Sequence, residues 1–123
     1  MRRNLVCLIA LCVFLTCCNQ KGPSTAQIEA ALNEAVKAKN PDAEVKLYPI
    51  EYDNNPDYVE FKFSCTNCVF QFKNTNSPPI VVPSSEGHGM VTLSRKLQKW
   101  KFDRIIVVSK AVGQVSYESD HIF

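Results

Sequence analysis

Two alternating runs dominate the middle of the chain. In the first, residues 58–65, Val59, Phe61, Phe63 and Cys65 share one parity; in the second, residues 68–73, Cys68, Phe70 and Phe72 share one. Side chains of a β-strand point to opposite faces with period two, so both runs demand half-buried strands rather than helix. Folded about a two-residue loop at Thr66-Asn67, they form a hairpin that sets Cys65 opposite Cys68, Phe63 opposite Phe70 and Phe61 opposite Phe72. The other face then matches Glu60 with Lys73 and Lys62 with Gln71. One register satisfies both faces at once, and this predicts the hairpin. Thr-Asn is not a preferred turn pair, so the hairpin needs help to close.

The flanking sequence supplies the remaining layers. Ser24, followed by Gln27, fits a capping box, and Ile28, Leu32, Ala35 and Val36 recur at helical spacing. Asn40-Pro41 ends that helix, because a residue before proline avoids the α region. Residues 43–52 read as an extended segment that Pro49 interrupts, the mark of an edge strand or a bend. Residues 53–57, Asp-Asn-Asn-Pro-Asp, form a turn cluster. Residues 74–89 are rich in Asn, Ser, Pro and Gly and predict a long loop, with a short edge strand at Ile80, Val81 and Val82. Met90, Leu93, Leu97 and Trp100 have helical spacing and predict a second helix. Residues 104–112 are β-branched and apolar, a buried strand, and Gly113-Gln114 suits a tight turn back into residues 115–118. The expectation is an α+β fold: a two-layer sandwich of mainly antiparallel sheet with two helices on one face, in the order α-β-β-β-α-β-β.

With 123 residues there is room for one domain, and 46% hydrophobic residues exclude a wholly disordered chain. The net charge of +2 is too small to argue for nucleic acid, and without Arg2 and Arg3 it vanishes. Those two arginines head an uncharged apolar run, residues 5–16. As a helix the run would span about 18 Å, too short for a bilayer core of roughly 30 Å. A positive head, an apolar run of this length and small residues after it describe a secretory signal.

Leu15-Thr16-Cys17-Cys18 resembles the bacterial lipobox, in which an aliphatic residue and two small ones precede a lipid-modified cysteine. The resemblance covers about the first eighteen residues and implies nothing about the fold beyond them. It makes Cys18 the lipid acceptor; Cys17, with Phe14 in the aliphatic place, is the alternative. Cysteine suits the role because its sulfur is the nucleophile that takes a diacylglycerol thioether, and two or three acyl chains anchor where one does not. The resemblance implies a signal peptide at 1–17, a lipidated tether at 18–23 and a single periplasmic domain at 24–123. Asn19 after the acceptor implies the outer membrane, periplasmic side.

Cys65 and Cys68 admit three readings. A redox pair needs a helix N-terminus to lower a thiol pKa, and here the pair lies between strands. A zinc site needs His88 and His121 as partners, but those two lie 33 residues apart. A structural disulfide suits opposed strand residues and an exported chain, and is the expectation. Asp53, Asn55 and Asp57 imitate a calcium loop, but Tyr58 and Ser64 stand where glycine and glutamate belong. Ser84, Ser85, His88 and Asp103 contain the residue types of a triad without a nucleophile-elbow motif. Arg95, Lys96, Lys99, Lys101 and Arg104 form a candidate anion-binding patch, read otherwise as a solvated helix face. No catalytic cluster, metal site or cofactor is expected. The expected function is a membrane-anchored lipoprotein whose non-catalytic domain binds or supports an envelope protein. The alternatives are a tethered thiol-disulfide oxidoreductase using Cys65 and Cys68, and a soluble module for a small ligand, which lacks recognisable pocket residues.

Overall fold

A computed structural model of the protein describes residues 22–52 and 57–123. The expected signal segment, both candidate lipid acceptors, most of the expected tether and most of the expected turn cluster at 53–57 lie outside those residues.

Helix α1, Thr25–Lys37, starts where the capping box places it. The Gln27 amide donates to Ser24 Oγ at 3.2 Å, and Ser24 N donates to Gln27 Oε1 at 2.9 Å. The helix buries Ile28, Ala31, Leu32 and Val36, while Ala35 is only half-buried. Five strands follow: β1, Glu44–Leu47; β2, Tyr58–Phe70; β3, Ile80–Ser94; β4, Lys99–Ser109; and β5, Gly113–Tyr117. All neighbours are antiparallel and in chain order, a five-stranded meander. The α+β class stands, with one helix among the described residues and most of the regular secondary structure in the sheet.

Helix α1 also seals the outer edge of β1. The Asn33 amide accepts from Val45 N at 2.8 Å and donates to Val45 O at 3.1 Å, as a neighbouring strand would. Glu29 Oε2 accepts from Leu47 N at 3.0 Å. These side chains satisfy backbone groups that an edge strand otherwise leaves open to pairing with another chain.

Four expectations are corrected here. First, there is no hairpin at Thr66-Asn67: β2 runs straight through as 13 residues. Phe61 and Phe63 oppose Gly89 and Gly87, not Phe72 and Phe70. The parity change arises because Asn67 adopts a left-handed backbone, φ +56°, which moves the buried set from Phe63 and Cys65 to Cys68 and Phe70. Second, the short strand expected at residues 80–82 does not stop there: residues 83–94 are not loop and helix but continue it as the 15-residue central strand. Gly87 and Gly89 belong to it because the Phe63 and Phe61 rings occupy the space a Cβ would need. Third, the predicted second helix is a hairpin joining Ser94 to Lys99, so the described residues form no sandwich with two helices, and their order is α-β-β-β-β-β. Its loop, residues 95–98, has no Gly, Asn, Asp or Pro, and Gln98 takes the left-handed position at φ +53°. Fourth, the last turn falls at residues 110–112, and Gly113, at φ +120°, opens β5 opposite Ser109.

The core lies between α1 and one face of the sheet, where Ile28, Leu32 and Val36 join Val45, Phe61, Phe63, Val91, Ile105 and Val107. The sheet curls about this core. Tyr117 Oη on β5 donates to the Val69 carbonyl on β2, with β3 and β4 between them in the order. At the opposite end the C-terminal tail closes the core. Phe123 N donates to Trp100 O at 2.8 Å, and its ring meets Phe102 edge-on at 5.6 Å.

Gly87→Ala is expected to cost roughly 1–3 kcal/mol by forcing the Phe63 ring out of its seat, read as a lower urea midpoint. Burial raises the Tyr117 pKa above its usual 10. A raised folded-state value means stability complete below about pH 10 and lost as pH rises through the folded pKa. Tyr117→Phe should flatten that alkaline limb and cost about 1 kcal/mol at neutral pH through the lost hydrogen bond.

Candidate binding site

Cys65 and Cys68 lie on β2 on either side of the Asn67 kink, both in the core, with Cα atoms 6.0 Å apart at disulfide distance. In a regular strand residues three apart point to opposite faces; the left-handed residue between them brings both to the same one. Pro83 stands opposite Asn67, between the Thr66–Ser84 and Cys68–Val82 pairs. Proline has no N–H to give, and the Asn67 carbonyl takes its hydrogen bond from Asn40 Nδ2 at 3.0 Å instead. The burial phase of β3 changes at the same place, with Pro83 and Ser84 both exposed.

The other candidates are dispersed. His88 stands on the outward face of β3. His121 lies in the tail with Nδ1 4.0 Å from Glu34 Oε2 and its ring against Phe123. Neither joins the buried cysteines, and the described residues contain no cluster of three metal-ligating side chains. Ser85 is buried with Oγ 3.4 Å from the Cys65 carbonyl, while Ser84 is exposed. Of the calcium-like trio only Asp57 is described, and it pairs with Arg95 at 3.2 Å.

The cation patch divides in two. Arg95 and Lys96 occupy the β3–β4 loop, with Lys99 and Lys101 on the strand just after it. Arg104 lies farther along β4, beyond a β-bulge: Met90 pairs with Arg104 but Val91 pairs with Phe102, leaving Asp103 as the extra residue. The bulge keeps both Phe102 and Ile105 toward the core and turns Arg104 to the outward face beside Met90.

That outward turn lines a groove of about 840 Å³. One wall is the segment after β1, including Tyr48 and Ile50; the floor carries Glu60, Lys62, His88, Met90 and Arg104. The groove exists because Pro49 ends the pairing of β1 with β2. The last contact is Tyr48 N donating to Lys62 O at 2.9 Å. By strand parity the N–H and C=O of Glu60 point the same way as those of Lys62, into the groove. Among the described residues no strand pairs with Glu60 on that side.

Tyr48 reaches over β2 and donates from Oη to the Glu86 carboxylate at 3.1 Å. Glu86 raises the Tyr48 pKa, since ionising the phenol would forfeit that bond and set two negative charges together. The volume lies within the range of ligand sites, and the walls mix aromatic rings with charges of both signs.

No family model, curated protein or solved structure matches the chain. The site is therefore read from its own geometry. Sequence reasoning missed the groove, although Pro49 was its visible signal; the bulge that turns Arg104 outward has no local signature.

The burial of both sulfurs predicts that the native protein resists thiol-directed alkylation even with reductant present. Labelling should appear only as urea unfolds the chain. Labelling of the folded protein at the rate of a free thiol would contradict this.

Proposed function

We propose that the protein is a lipoprotein, acylated on Cys18 and facing the periplasm from the outer membrane, whose domain holds an extended segment of another envelope protein. The observation that carries the binding role is the Glu60 edge of β2, turned into the groove beyond the point where Pro49 diverts the chain. An extended peptide laid there adds a strand, taking its affinity from backbone hydrogen bonds and its selectivity from side chains on alternate positions. Tyr48 and Tyr58 supply apolar contact, and Lys62, His88 and Arg104 set the preferred charges. The Cys65–Cys68 pair is structural in this reading: a bond there holds the Asn67 kink, and its burial lends no support to an oxidoreductase.

Two measurements test the reading. Intact mass of the purified protein should report a chain beginning at Cys18, with acyl mass added and two hydrogens missing for the disulfide. A photo-crosslinking residue at Tyr58 should capture one protein partner in cells. Glu60→Pro, which removes the N–H facing the groove and is tolerated on an unpaired edge, should abolish capture while leaving circular dichroism unchanged. Glu60→Gln should retain it. Equal capture by the proline variant would defeat the strand-addition mechanism, and no specific partner from the Tyr58 probe would defeat the binding role itself.

A further inference from the structure

The N-terminal segment enters the domain at one end of the sheet. Gly22 sits against the Trp100 indole and the Val59 side chain. Tyr52 Oη donates to the Pro23 carbonyl at 2.7 Å. This entry point lies beside the Leu93–Trp100 pair, and the next turn of chain beyond that pair is the β3–β4 loop. Cys18 precedes Gly22 by four residues, a reach of roughly 14 Å at full extension. The loop tip lies about three residues beyond the Leu93–Trp100 pair, roughly 10 Å along the strands. The two lengths are comparable, so a lipid on Cys18 brings the bilayer surface within reach of the loop.

The loop carries the chemistry for that surface. Leu97, at its tip, is 55% exposed. Arg95 and Lys96 precede it and Lys99 and Lys101 follow it, all exposed. The carboxylate paired with this group among the described residues is Asp57, on Arg95. Tyr58, on the outward face opposite Thr92, adds an exposed phenol at the same end. An aliphatic tip ringed by cations fits a layer of anionic phosphate headgroups over acyl chains. Leu97 meets the apolar boundary, and the lysines lay their stems along it with their ammonium groups among the phosphates.

We propose that the β3–β4 loop is a second membrane contact that lies against anionic lipid headgroups and holds the anchored domain in one orientation. The proposal rests on the reading of Cys18 as the lipid acceptor. The loop needs little affinity of its own, because the tether keeps it at high effective concentration over the surface. Held this way, the start of β2 and its groove lie close to the membrane, and the far end of the curled sheet, with Val69 and Tyr117, points away.

The test uses the purified full-length lipidated protein on vesicles of brominated phosphatidylcholine, with and without phosphatidylglycerol. Flotation with both compositions reports the anchor. Emission of a Leu97→Trp variant, compared with the wild type and its Trp100, reports the loop. The expected result is flotation on both, with the added tryptophan quenched only where phosphatidylglycerol is present. Each cation near an anionic surface is worth about fivefold in partitioning. A Lys96→Gln/Lys99→Gln/Lys101→Gln triple variant, which leaves the Arg95–Asp57 pair intact, should therefore lose the quenching and still float. Flotation with the tryptophan unquenched on anionic vesicles overturns the loop contact and leaves the anchor standing. Failure to float on neutral vesicles overturns the anchor. Quenching by anionic vesicles alone then upholds the loop as a headgroup contact, and its absence overturns that as well.

Discussion

The left-handed backbone at Asn67 is the constraint on which the domain depends. It lets one long strand change its buried parity partway along, so that Phe61, Phe63 and Cys65 face the core before the kink and Cys68 and Phe70 face it after. Without that change the second half of β2 would turn its apolar side chains to water. The curl of the sheet, with Tyr117 reaching back to the Val69 carbonyl, belongs to the same region. Three features bear on this one point: the Cys65–Cys68 pair that brackets it, Asn40 bonding the Asn67 carbonyl, and Pro83 opposite.

The treatment of strand edges explains much of the rest. A meander leaves exposed backbone wherever strands differ in length, and this chain deals with each edge differently. Asn33 and Glu29 cover β1 with side chains that imitate a neighbouring strand. Pro83 lies in the part of β3 that β4 does not reach, where a residue without an N–H is tolerated. The start of β2 is left open where Pro49 turns the chain aside. The concavity forms there, and the bulge at Asp103 aims Arg104 into it.

Much of the chain was legible locally. The capping box marked the start of α1, Pro49 marked β1 as interrupted, and alternation marked both halves of β2. The patch of five cations was legible as composition but not as a place. Four of them gather around a hairpin tip, while Arg104 stands in the groove farther along β4, where a one-residue bulge turns it outward.

The sequence by itself determined which residues pair with apolar surroundings and where the helix begins, because amphipathic period and capping chemistry are short-range properties of neighbouring residues. It did not determine whether the parity break at Thr66-Asn67 was a reversal or a kink, since both exchange the faces identically. Nor did it separate a helix from a hairpin at residues 90–101, where turn residues are absent and Gln98 takes a backbone conformation that usually signals glycine or asparagine. Only the tertiary structure decided these points, by placing Gly87 and Gly89 under Phe63 and Phe61. Space for an aromatic ring across two strands is a property of the packed pair, and no window of sequence around either residue contains it.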